Sequence, residues 1–130
     1  MTPVNALMGG LAAFRMGLGA ASWIAPRSLA RLYGVPEKQV TSELEYMTRV
    51  FGARAVALGV GYLASSGNAR KLWVRLWLLV DTADTAMGAG MLSRGRLGPK
   101  VGALALATTA PAMALDVAAL ATVPEDPPPH

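Results

Sequence analysis

The chain contains no cysteine, and its single histidine is the last residue, His130. The first absence excludes disulfides, thiolate metal sites and thiol nucleophiles. The second argues against haem, histidine-bound metals and triad hydrolases, each of which needs an imidazole inside the fold. Charge is scarce, at 15% of residues against about 25% in an average soluble chain. Nor does any segment reach about 18 uncharged residues in a row, the length that marks an unambiguous membrane span. No basic residue precedes the N-terminal apolar run, and Arg15 interrupts it. That run is therefore expected to be a retained first helix and not a signal peptide.

What remains is strongly apolar. Hydrophobic residues make up 53% of the 130, and the mean hydropathy is +0.39. The length suits one domain. The formal charge of +4 does not suggest nucleic acid, because the basic residues flank apolar segments. Anionic lipid headgroups are their natural partner there. A soluble, very apolar helical bundle is the alternative, but it needs a wet, charged face on each helix. The apolar segments offer none.

Four such segments are expected to be helices, at about residues 4–24, 43–65, 72–91 and 101–122. The first carries Ala13, Gly17 and Ala21 at four-residue spacing, which would let another helix approach closely. Pro26 ends it. Residues 27–33 follow as a short interfacial helix, with Leu29, Leu32 and Tyr33 on one face and Arg27 and Arg31 on the other. Ser42 and Glu45 form a capping-box pair for the second long helix, and Glu45 stands four before Arg49, the favourable order for an ion pair. Trp23, Tyr46, Tyr62, Trp73 and Trp77 fit interfacial aromatic positions. Pro111 interrupts the fourth helix beside Thr108 and Thr109, freeing the Ala107 carbonyl. The acidic, proline-rich stretch 123–130 is expected to be disordered. The fold class is therefore all-α: a four-helix transmembrane bundle in one domain, residues 1–122, with an interfacial helix after the first span.

Arg27, Arg31, Lys38, Arg94, Arg96 and Lys100 lie in the first and third connections, against Arg70 and Lys71 in the second. The positive-inside rule places the first and third connections in the cytoplasm and both termini outside, in a multi-pass protein of the cell membrane.

Every apolar segment has a charge near its middle. Counting at 1.5 Å per residue from the face that carries the basic connections, Arg15, Arg54, Asp84 and Asp81 lie about 14, 12, 10 and 15 Å deep. Arg75 and Asp116 lie deeper, at about 24 and 22 Å. The charges thus sort into two layers, each balanced in sign. Unpaired charge at such depth is costly, so these residues are functional candidates. Asp81 and Asp84 share a helix face with Thr85 and Gly88. They are the candidate acid–base pair, hence candidate catalytic residues. Arg15, Arg49, Arg54, Thr85 and Asp116 are candidate ligand-binding residues. Equally, the same charges can form an ion-pair network that fixes helix register. No metal or cofactor is expected: a carboxylate-only cation site would be opposed by the arginines, and no strand precedes the glycines as a phosphate-binding loop requires.

Several of these motifs resemble a known group. Arg15 with Gly17 and Gly19, Trp23-Ile24-Ala25-Pro26 and Leu32-Tyr33-Gly34-Val35-Pro36 look like the first third of a family of small four-helix bacterial membrane proteins of unknown function. Arg49-Val50-Phe51-Gly52-Ala53-Arg54 with Gly59 and Gly61 is similar to its second helix, and Asp81-Thr82-Ala83-Asp84 to its third. The chain departs from the family at Ala55, where an acidic residue often follows the second arginine. A more distant similarity is to DoxX-like four-helix membrane proteins. The resemblance implies a membrane bundle and gives weight to Arg15, Arg49, Arg54, Asp81 and Asp84, but it implies no activity.

The expected function is binding of a small lipophilic molecule at the polar centre, with the bilayer as the other partner. Two alternatives stay open. One is a membrane enzyme performing acid–base isomerisation, cyclisation or epoxide hydrolysis with Asp81 or Asp84. The other is a structural subunit, a homo-oligomer joined through Gly/Ala helix faces.

Overall fold

A computed structural model describes residues 3–122; the expected disordered tail lies outside them. The described residues are predominantly helical, with no strand among them. The elements are α1 (Pro3–Ile24), α2 (Pro26–Leu32), a short 3-10 turn (Glu37–Gln39), α3 (Ser42–Leu63), α4 (Gly67–Ser93) and α5 (Pro99–Thr122).

The breaks between helices follow local chemistry. Pro26 opens α2 at a position where its missing N–H is no loss. Gly34, at φ 95°, turns the chain after α2 in a conformation that favours glycine. The N-cap of α3 is Thr41, not Ser42: its hydroxyl accepts from the Leu44 N–H at 3.2 Å. Glu45 is consequently free of a capping box. It pairs with Arg27 and ties the start of α2 to the start of α3. The fourth element is longer than expected, so Arg70 and Lys71 belong to its first turns and not to a loop.

The long helices run alternately up and down. α1 packs most closely on α3 and α4 on α5, with smaller contacts closing the ring between α1 and α5 and between α3 and α4. The tightest crossing is at Gly19 and Gly52. A Cβ on Gly19 would lie 2.6 Å from the Gly52 carbonyl oxygen, and one on Gly52 would lie 2.5 Å from that of Gly19. The expected Ala13/Gly17/Ala21 face is not used in this way, since Gly17 has nothing within 4 Å of its Cβ position. The core joins Met8 and Ala12 of α1, Leu58 and Tyr62 of α3, Val74 and Trp77 of α4, and Ala119 of α5. Tyr62 and Trp77 are thus core residues and not interfacial ones. The Trp77 indole N–H donates to the Leu58 carbonyl at 3.0 Å, and its ring stacks on Tyr62 at 4.9 Å.

Apolar side chains also cover the outside. Leu7, Phe14, Ile24, Val60, Leu63, Leu79, Met87 and Val117 are exposed on all four long helices. Two of those helices, α1 and α5, are long and apolar enough to cross a membrane, with hydropathies of 1.2 and 1.6. α3 and α4 have the length, but Arg49, Arg54, Arg75, Asp81 and Asp84 interrupt them.

Candidate functional site

Two arginine–aspartate pairs cross the middle of the molecule. Arg15 of α1 donates to Asp81 of α4, and both side chains are almost fully buried. The Arg15 guanidinium also lies 4.5 Å from the centre of the Trp77 ring, a cation–π contact that Trp77 can offer because it is fully buried beside it. Arg54 of α3 donates to Asp84 of α4 at 2.9 Å, with 43% and 31% of the two side chains accessible. The first pair is enclosed, whereas the second opens on a cavity.

Asp116 stands apart from the layer expected for it. It is fully buried and faces Asp81 and Arg15, so it joins the central cluster. Neither of its oxygens has a hydrogen-bond partner. Arg75, its expected companion, is exposed on the outer face of α4. Side-chain direction explains the difference. Helical side chains lean toward the N-terminus of their own helix. α4 and α5 are antiparallel, so Asp81 and Asp116 lean toward each other, and a depth counted at Cα overstates their separation.

The remaining candidates divide in the same way. Thr85 is half-buried one turn beyond Asp81, with its hydroxyl oxygen buried and unpartnered. Arg49 does not reach the centre. Its Nε donates to the Trp23 carbonyl at 3.3 Å, in the last turn of α1, where a cation complements the helix dipole. Pairing of Arg49 with Glu45 does not occur, since Glu45 is held by Arg27.

Two cavities flank this centre. One, of about 380 Å³, lies between α3, α4, α5 and the α2 segment, and holds Arg54 and Asp84 on an otherwise largely apolar wall that includes Leu18, Phe51, Met87 and Met91. The Arg54 guanidinium lies 5.4 Å from the Phe51 ring. Thr48, Thr108 and Thr109 line the cavity too, but each donates to its own helix, so each offers oxygen lone pairs to a guest. The other, of about 560 Å³, runs between α1 and α5 past Phe14, Leu32 and Pro111, and is almost wholly apolar. Tyr33 lines both. Its hydroxyl is 2.9 Å from Thr108 Oγ1, which fastens the end of α2 to α5. Sequence reasoning placed Tyr33 on the apolar face of the short helix but not among the candidate site residues. The signal was its place on the apolar face of α2 with a polar tip that must find a partner. No group of three or more histidine, cysteine or acidic residues among the described residues is placed to hold a metal ion.

No family model matches the chain, and neither the curated proteins nor the solved structures contain a significant match.

Proposed function

We propose that this chain is a four-helix transmembrane bundle that binds a small amphipathic molecule, its polar head at Arg54 and Asp84 and its apolar body among Phe51, Met87 and Met91. The observation that carries this reading is a half-accessible ion pair on the wall of a cavity of about 380 Å³ that is otherwise largely apolar. Pockets for small molecules combine largely apolar walls with a few placed polar groups in this way. Methionine side chains adapt to varied apolar shapes. Apolar surface on every long helix supports the bilayer as the surrounding solvent, because monomeric soluble proteins rarely expose contiguous apolar patches above a few hundred Å². In that setting the basic connections face the cytoplasm.

The catalytic alternative narrows to Asp84, which borders the cavity, whereas Asp81 is enclosed with Arg15. A membrane enzyme would use Asp84 as the acid or base and Arg54 to hold a developing negative charge.

Binding of a dansyl-labelled medium-chain fatty acid to the detergent-solubilised full chain tests the binding reading. Gly88 lines the cavity, and a Cβ there would meet nothing closer than Leu106 Cδ2 at 3.5 Å. Gly88→Leu therefore fills the cavity while keeping both members of the ion pair, Arg54 and Asp84. Both Gly88→Leu and Arg54→Ala should weaken binding about tenfold or more, which corresponds to about 1.4 kcal/mol. Unchanged affinity in both variants would show that the probe binds elsewhere.

A further inference from the structure

The buried centre beside the cavity has a charge count that the ion pairs leave open. One guanidinium, Arg15, faces two carboxyl groups, Asp81 and Asp116. The Asp81 and Asp116 side chains are essentially inaccessible, and that of Arg15 is 11% accessible. An uncompensated negative charge in such surroundings is costly, and so is a buried carboxylate with no hydrogen bond. Asp116 has none on either oxygen.

Among the described residues, no other basic side chain pairs with these carboxyl groups. On α3, the titratable groups toward the centre are Tyr62, stacked on Trp77, and Arg54, held by Asp84. On α4 they are Asp81 and Asp84, on α1 Arg15, and on α5 Asp116 itself. A metal ion is a poor candidate. Hard cations take about six or more oxygen ligands, and among the described residues no third acidic side chain joins these two. A proton needs one oxygen. Placed on Asp116, it lets that carboxyl donate to Asp81, gives Asp116 the hydrogen bond it lacks, and leaves Asp81 free to accept from Arg15. The charge of the cluster then sums to zero.

We propose that Asp81 and Asp116 form a proton-binding site, one proton being held between the two carboxyl groups beside Arg15. The site is separate from the cavity and needs no ligand in it. Because Asp81 and Asp84 are one turn apart on α4, it lies next to the residues proposed to hold a ligand head.

Infrared spectroscopy of the full chain in nonionic detergent, with no ligand added, reads the proton directly. At neutral pH the wild type should show the C=O stretch of one protonated carboxyl group per chain, shifted on exchange into D₂O and by ¹³C-labelling of aspartate. Asp116→Asn should lose the band, and Asp84→Asn should keep it. A wild type without the band, or a band that survives Asp116→Asn, overturns the proposal. Where Asp116→Asn does not fold, the ¹³C-aspartate shift in the wild type together with its fate in Asp84→Asn keeps the test decisive: a band lost with Asp84 overturns the proposal. Thermal stability should be the same in sodium and in potassium at equal ionic strength. A rise specific to sodium would put a metal ion in the site and overturn the proton.

Discussion

The two arginine–aspartate pairs are built from the same groups, yet what surrounds each determines what a substitution does. Asp81→Asn removes the carboxylate to which the buried Arg15 is bonded; breaking such a pair from one side costs about 3–5 kcal/mol, of which Asp116 returns only part because it must first give up its proton. Asp84→Asn leaves a half-accessible Arg54 that water or detergent headgroups can serve, so the loss should stay within about 1 kcal/mol. Denaturant titration of the two variants in detergent checks this, and equal losses would contradict it. The pairing itself was legible in the sequence, because a charge near the middle of an apolar helix has few places to go. Asp116 was misplaced because a depth counted along the helix axis ignores the lean of the side chain. The role of Trp77 was missed because its position near the start of an apolar segment suits an interfacial aromatic equally well. Only the Val74/Trp77/Asp81 spacing, which puts it on the inward face of α4, distinguishes the two.

Between elements, glycine decides the contacts. Any side chain at Gly52 collides with backbone of α1, so the helices themselves must part. Gly52→Val should cost about 1–3 kcal/mol by overpacking, while Gly17→Val, in open space, should change the packing little. Melting temperatures of the two variants give the comparison, and similar behaviour would argue against the crossing. The sequence showed that small residues abound in α1. It did not show which of their faces meets a partner, because Gly17 and Gly19 are chemically identical and only the packing distinguishes them. The α2 segment was more legible, since Pro26 and Gly34 punctuate it. Its fastening to the bundle through Tyr33 predicts a local effect. Tyr33→Phe removes one hydrogen bond, worth about 0.5–1.5 kcal/mol. Amide exchange should quicken across residues 26–40 and stay unchanged in α4. Uniform quickening would mean that α2 is integral to the fold and not a fastened flap.

At the scale of the whole molecule, most of the basic residues outside the central cluster gather toward the two ends, with Arg75 exposed on α4 between them. Arg31, Lys38, Arg94, Arg96 and Lys100 lie at the end where α2 sits, and Arg70 and Lys71 at the other. Between these ends the surface is predominantly apolar. Leu79 is 67% exposed and Ile24 83%. In water such a surface would drive association, whereas in a bilayer it is the expected face. The bilayer reading also accounts for the paired interior charges of Arg15, Arg54, Asp81 and Asp84, which a water-facing helix could simply have turned outward. The chain has no cysteine, so single cysteines can be placed without removing any native thiol. The most direct measurement is labelling of Leu79→Cys and Arg96→Cys by a membrane-impermeant maleimide in opened membrane vesicles. The account predicts rapid labelling at position 96 and none at position 79 until detergent is added. Equal labelling at both positions before detergent would contradict it.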